Sequence, residues 1–174
     1  TLEITPKELK DSIHLSFSTN LDDIKNCEIF IITVPTPIDK NKKPDFRNLI
    51  DATMVIAKII KKNSIIIYES TVYPGLTEEI CIPIIEKKSK LIANKDFFYG
   101  YSPERINPGD KKHKLKDIQK VTSGSNKASA VFIDKLYNTI IKAGTYQAES
   151  IKVAEAAKVI ENTQRDLNIS LINE

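Results

Sequence analysis

Short apolar runs alternate along this chain with longer segments in which apolar residues recur every three or four positions. Residues 28–35, EIFIITVP, form an Ile-rich run ended by proline and read as a buried parallel strand. A polar loop, DKNKKP, follows, and Asp45 suits a helix N-cap. Leu49, Ala52, Ile56 and Ile59 then share one face of a helix that runs to about residue 62. Residues 64–68, SIIIY, are the next strand. A Pro-Gly turn at 74–75 leads to a second helix ending near residue 88, with Pro83 inside it as a kink. Residues 97–101 are a third strand, closed by Ser102 and Pro103. A long loop over 104–117 carries Pro108 and Gly109, and 118–122 is a fourth strand. Gly124 turns the chain into a helix from about 126 to 141. A short strand near 144–148 leads to a helix with no Gly, Pro or capping signal to end it.

This order predicts an α/β fold, a parallel sheet with helices on its faces. A domain boundary falls near 147–150, where alternation gives way to one long helix. Ligands of such sheets bind outside the carboxyl ends of the strands. The candidate polar residues gather there: Thr36 after the first strand, Glu69, Ser70 and Thr71 after the second, Glu104 and Arg105 after the third, Ser123 after the fourth.

Composition narrows the class. With 174 residues, 41% hydrophobic and 28% charged, the chain supports one ordinary soluble domain with a piece of a second. A net charge of +3 with scattered lysines, and no aromatics among the basic residues, argues against nucleic acid. KKHKLK at 111–116 reads as a solvated loop. No apolar run approaches the roughly 20 residues that span a bilayer, and no signal peptide is present, so no membrane partner is expected and a cytoplasmic location follows. Cys27 and Cys81 lie far apart without a CxxC pattern and read as reduced thiols in or near a core. His14 and His113 have no partners at metal spacing, so no metal is expected.

The candidate chemistry has plain alternatives. Thr36 lies between Pro35 and Pro37, which stiffen the chain and remove N–H groups; the segment is either a rigid wall against a flat ligand or a stiff strand exit. Glu69, Ser70 and Thr71 offer a carboxylate and two hydroxyls to a ribose or a water, or they serve the turn ahead of Pro74. Glu104 suits a general base if its crevice is partly dry. Arg105 suits a phosphate or carboxylate, or the two form a surface pair. Asn107, Pro108 and Gly109 make a turn that brings backbone close to a ligand. Lys158 and Asn162 stand four apart on one helix face, a cation and an amide able to stabilise an oxyanion; an isolated lysine there is otherwise solvated. Glu161 and Arg165 form an i,i+4 pair.

Together VPTPID, ESTVYPG, YSPERINPGD, KVTSG and AEAAKVIENTQRDLNISLINE resemble the UDP-glucose/GDP-mannose dehydrogenase family in order and spacing, over essentially the whole chain. Within it they are similar to the branch that acts on UDP-N-acetylhexosamines for surface polysaccharides. The resemblance implies the C-terminal part of a Rossmann-like NAD-binding domain over 1–148, and over 149–174 the first helix of an all-α dimerisation domain. It implies NAD as cofactor, a UDP-sugar as substrate and a homodimer at full length. Members oxidise the sugar C6 alcohol to a carboxylate through an aldehyde and a cysteine thioester. The resemblance places Val34, Pro35, Thr36, Ser70 and Thr71 against the cofactor. It places Thr71, Glu104, Lys158 and Asn162 in catalysis, and Glu104, Arg105, Asn107, Lys158 and Asn162 at the substrate.

The chain departs from the family pattern at several points. It contains no Gly-x-Gly-x-x-Gly turn, and neither cysteine occupies the family's catalytic position. Both departures imply an internal fragment. The position four residues after Glu104 is Pro108 rather than the second glutamate of the UDP-glucose branch. Two other readings remain open at this point: a non-catalytic α/β binding or docking module, and an ordinary dehydrogenase with a single hydride step.

Overall fold

β1 (Ile29–Ile32), β2 (Ile65–Tyr68) and β3 (Phe98–Tyr101) are built largely from β-branched and aromatic residues, which pack well on a pleated surface. The structure, a computed structural model, describes residues 4–106 and 115–174. The three strands run parallel, with Ile29 opposite Ile65 and Ile65 opposite Phe98. β4 (Lys120–Gly124) and β5 (Thr145–Gln147) complete a five-stranded sheet in the order β1-β2-β3-β4-β5.

β4 differs from the all-parallel expectation. It is antiparallel to β3, with Tyr101 opposite Ser123, and β5 is parallel to β4. A parallel neighbour needs a crossover that carries the chain back past the sheet, usually a helix. Between β3 and β4 the described residues hold only a single 3₁₀ turn, Leu115–Asp117, so the chain re-enters the sheet from the end at which it left. The first residue of β4, not its last, therefore stands beside the carboxyl ends of β1–β3.

Both faces of the central strands are covered, with the period of two that strands impose. Ile66 and Tyr68 point into the larger core with Leu49 and Ile56 of α2 (Arg47–Ile56) and with Ile82 and Ile85 of α3 (Ile82–Ser89). Ile67 points the other way, onto Ile133 and Tyr137 of α4 (Lys127–Asn138). Gly100 makes the close approach of these layers possible: a Cβ there would lie 2.2 Å from the Ser123 carbonyl oxygen and 2.4 Å from Ile133.

Several boundaries move from their expected places. α2 starts without a side-chain cap, because Asp45 instead binds the N–H and guanidinium of Arg47. Pro83 sits in the first turn of α3, where its missing N–H breaks no ladder bond, and the expected kink appears just before it as a wide turn over Thr77–Cys81. Cys81 is buried as expected, whereas Cys27, just ahead of β1, is exposed. α1 (Pro6–Asp11), held by a Thr5–Glu8 capping box, has no counterpart in the apolar pattern because it buries nothing. Ser150 caps α5 (Ile151–Asn173), and the start of α5 joins the larger core through Ile151 and Ala154. No helix among the described residues is long and apolar enough to cross a membrane.

Candidate active site

The loops that leave β1, β2 and β3 are stitched to one another by side chains that bond backbone. Ser70 Oγ donates to the Val34 carbonyl at 2.7 Å, and Thr36 Oγ1 donates to the Thr71 carbonyl at 2.9 Å. The Tyr101 hydroxyl donates to the Ser70 carbonyl at 3.1 Å. Asn48, near the start of α2, donates to the Pro35 carbonyl at 3.2 Å. These bonds occupy the Val34 and Pro35 carbonyls and the Thr36 hydroxyl and fix the Val34–Pro35–Thr36 ledge against the second loop.

α5 closes the fourth side. Four of its residues, spaced by three, reach the sheet domain in turn. Lys152 pairs with Glu79 at 2.9 Å on the surface. Glu155, fully buried, accepts the N–H groups of Gly75 at 2.5 Å and Thr77 at 3.1 Å. Lys158 Nζ donates to Thr71 Oγ1 at 2.9 Å and lies 4.0 Å from Glu104. Glu161 accepts from Arg105 Nε at 2.9 Å and pairs with Arg165 at 2.8 Å. Gly75 has φ +102°, a conformation that L side chains rarely adopt, and this turn brings its N–H to Glu155.

The result is a cleft of about 300 Å³ lined by Thr71, Glu104, Arg105, Ile106, Lys158, Glu161, Asn162 and Arg165. Thr71, Glu104, Arg105, Lys158 and Asn162, chosen from the sequence, thus stand together. Val34, Pro35 and Thr36 stand one layer back, Thr36 bonded to the Thr71 carbonyl and Val34 to the Ser70 hydroxyl. Asn107, Pro108 and Gly109 lie outside the described residues.

The electrostatics differ from residue to residue. The Lys158 side chain is only 14% exposed, against the solvated lysine that an isolated position on an amphipathic helix suggests. Burial pushes its pKa below the ordinary lysine value; the charge of Lys120 adds to that push, and Glu104 and Glu161 oppose it. The hydrogen bond from Arg105 holds Glu161 below the usual carboxylate range. Glu104 and Arg105 do not pair with each other; each takes a partner on α5. The Glu104 side chain is 52% exposed, wetter than the dry crevice the sequence reading asked for.

Of the two readings of Glu69, Ser70 and Thr71, groups for a ligand or groups that serve the loop, the packing divides the residues. Lys120, buried at the start of β4, pairs with Glu69 at 3.1 Å and reaches the Pro103 carbonyl at 3.4 Å. It stacks over the Tyr137 ring, and the Tyr137 hydroxyl bonds the other oxygen of Glu69. Ser70 points inward to Val34, so only Thr71 turns its hydroxyl to the cleft. Lys120 was legible as a lysine inside the strand expected over 118–122, which demands a partner once that strand is buried. Glu155 was legible as the second member of a Lys-x-x-Glu-x-x-Lys-x-x-Glu stripe over 152–161. Neither cysteine lines the cleft, and burial pushes the Cys81 thiol up to about 11, away from nucleophilic use.

A cation and an amide four apart on one helix face, opposed by a carboxylate, suit charge development on an oxygen between them. Comparison with known proteins gives the family of the chain. The chain is 62% identical over its whole length to a UDP-N-acetyl-D-glucosamine 6-dehydrogenase of Pseudomonas aeruginosa and 57% identical over 99% of its length to the same enzyme of Salmonella typhi. It spans 41% of the length of each of these curated relatives. Among solved structures it is similar to UDP-D-ManNAc dehydrogenase from Pyrococcus horikoshii, with a TM-score of 0.82 and 31% identity over 90% of this chain and 37% of that one. Residues 2–141 match the NAD binding domain of the UDP-glucose/GDP-mannose dehydrogenases, and the chain belongs to that family.

Proposed function

We propose that this chain supplies the nicotinamide side and the oxyanion-binding wall of an NAD-dependent UDP-N-acetylhexosamine 6-dehydrogenase, with UDP-N-acetyl-D-glucosamine as first candidate substrate. The observation that carries this reading is the cleft in which Thr71, Glu104, Lys158 and Asn162 meet. The high identity to UDP-N-acetyl-D-glucosamine 6-dehydrogenases supports the choice of sugar. Residues 1–148 form the NAD-binding domain in this proposal. Residues 149–174 open a dimerisation domain, a reading supported by the exposed apolar residues Leu167, Leu171 and Ile172 on α5. The full-length protein then acts as a homodimer.

The residues present fit a flat ring. Pro35 and Pro37 carry no N–H, the Val34 and Pro35 carbonyls are already bonded, and Pro35 is exposed at the strand end. The Pro35 and Pro37 rings offer a ligand apolar carbon. The chain holds no Gly-x-Gly-x-x-Gly turn, so no pyrophosphate cradle is assigned to it. NAD supplies the hydride acceptor. Two hydrides leave the C6 carbon in all, and one water enters, giving a uronate, two NADH and three protons per sugar.

Lys158 and Asn162 hold the C6 oxygen as it gains negative charge. Thr71, fixed by its bond from Lys158, positions water beside the same atom. Glu104, facing Lys158, takes the proton from that water. The thiol that carries the acyl group is assigned to residues beyond these 174, since Cys27 and Cys81 stand away from the cleft.

In the full-length protein, UDP-N-acetyl-D-glucosamine should yield two NADH per uronate, read by absorbance and product analysis. Lys158→Ala should lower kcat by about 10²–10³, the usual loss of an oxyanion donor. An unchanged kcat in that variant sinks the reading. So does turnover at the full-length rate by the 174 residues alone.

A further inference from the structure

Glu155 has no part in the chemistry above, yet among the described residues it is one of two buried charged side chains, the other being Lys120. Burying a carboxylate is costly, and an apolar side chain of similar size packs at lower cost. Its hydrogen-bond partners in the core are the backbone N–H groups of Gly75 and Thr77. One turn further along α5, Lys158 bonds Thr71, four residues before Gly75. Both ends of the 71–77 loop are thus tied to the same face of the same helix. Val72 and Leu76 are buried between the ties, so the loop and the helix move together.

We infer that Glu155 is a positioning residue: by closing the Gly75–Thr77 turn onto α5, it sets the height of Lys158 against Thr71 and Glu104. Glu155→Gln replaces one acceptor oxygen with an amide that points a donor at a donor. The turn then separates from the helix, and Lys158 moves out toward water.

The test uses the 174-residue chain and does not depend on its activity. Lys158 is titrated by ¹³Cε NMR, with its resonance assigned through Lys158→Arg. The charged groups that act on it are Glu104, Lys120 and Glu161, all retained in the variant. Burial holds the Lys158 midpoint down, so release into water raises it toward about 10.4, the value of a solvated lysine. Loss of a nearby negative charge without movement lowers it instead, so the sign separates displacement from direct electrostatics. An upward shift in a Glu155→Gln chain that still melts cooperatively is the expected result. An unchanged or lowered midpoint in that folded chain overturns the inference. If Glu155→Gln does not fold, Glu155→Asp, one methylene shorter, carries the same test. If neither folds, Glu155 is a folding determinant and the positioning role falls.

The catalytic consequence rests on the proposed function. In the full-length protein Glu155→Gln should lower kcat while adding nothing in a Lys158→Ala background, a non-additivity that a general loss of stability does not produce. A displaced Lys158 with unchanged kcat would refute the role of Lys158 in catalysis and leave the positioning intact.

Discussion

The two halves of α5 obey different rules although they are one unbroken helix of 23 residues. In the inner half Ile151 and Ala154 are 1% and 0% exposed, and Lys152, Glu155, Lys158 and Glu161 each contact the sheet domain. In the outer half Leu167, Leu171 and Ile172 are 64%, 74% and 84% exposed. An isolated helix of a dozen residues is marginal in water. The inner turns are therefore held by tertiary contacts, and the outer turns extend from them by propagation. The lesson is that the candidate site lies where the helix is held: Lys158 sits among the pinned positions and Asn162 at the point where pinning ends.

The largest effect should come from Ile151→Ala, which empties a fully buried position. A loss of about 2–5 kcal/mol is expected by urea unfolding of the chain. A loss under about 1 kcal/mol would mean that the inner half is not part of the core. Next comes the pH dependence of stability, which has opposite signs at two carboxylates of the inner half. Burial raises the folded-state pKa of Glu155 above the ordinary 4.5, so its favourable contribution is complete below that value and is lost as pH rises through the folded one. Arg105 lowers that of Glu161, so its contribution is present above 4.5 and is lost as pH falls through the folded value. The stability of wild type relative to Glu155→Gln should therefore fall as pH rises from the acid end, and its stability relative to Glu161→Gln should rise toward neutrality, both read from urea midpoints.

Lys152→Ala removes a pair whose partners are both more than half exposed and screened by water, so a much smaller loss than at Ile151 is expected from the same unfolding experiment. Leu171→Ala should fall within about 0.5 kcal/mol of wild type. Hydrogen exchange sharpens the contrast without mutation: amides of 154–161 should be protected and those of 166–173 should exchange with low protection. Equal protection along α5 would erase the distinction between its halves.

Local pattern determined a good deal here. Ile-rich runs marked β1 and β2, an aromatic run closed by Ser102 and Pro103 marked β3, and apolar spacing marked α2 and α4. The four-residue spacing of Lys158 and Asn162 put both on the wall of one cleft. These features were legible because strand and helix periods are properties of neighbouring residues. The reversed direction of β4 was not, because nothing local to 118–124 says from which end the chain returns to the sheet. That reversal set Lys120 beside Glu69 and took the Glu69 carboxylate away from any ligand. The exposure of Cys27, the burial of Lys158 and the clamp of Glu155 on Gly75 and Thr77 were likewise decided by which distant segments packed nearby. Sequence determined the kinds of groups available and the elements that carry them. Tertiary structure decided which were desolvated and paired, because burial and charge compensation depend on neighbours far away in the chain.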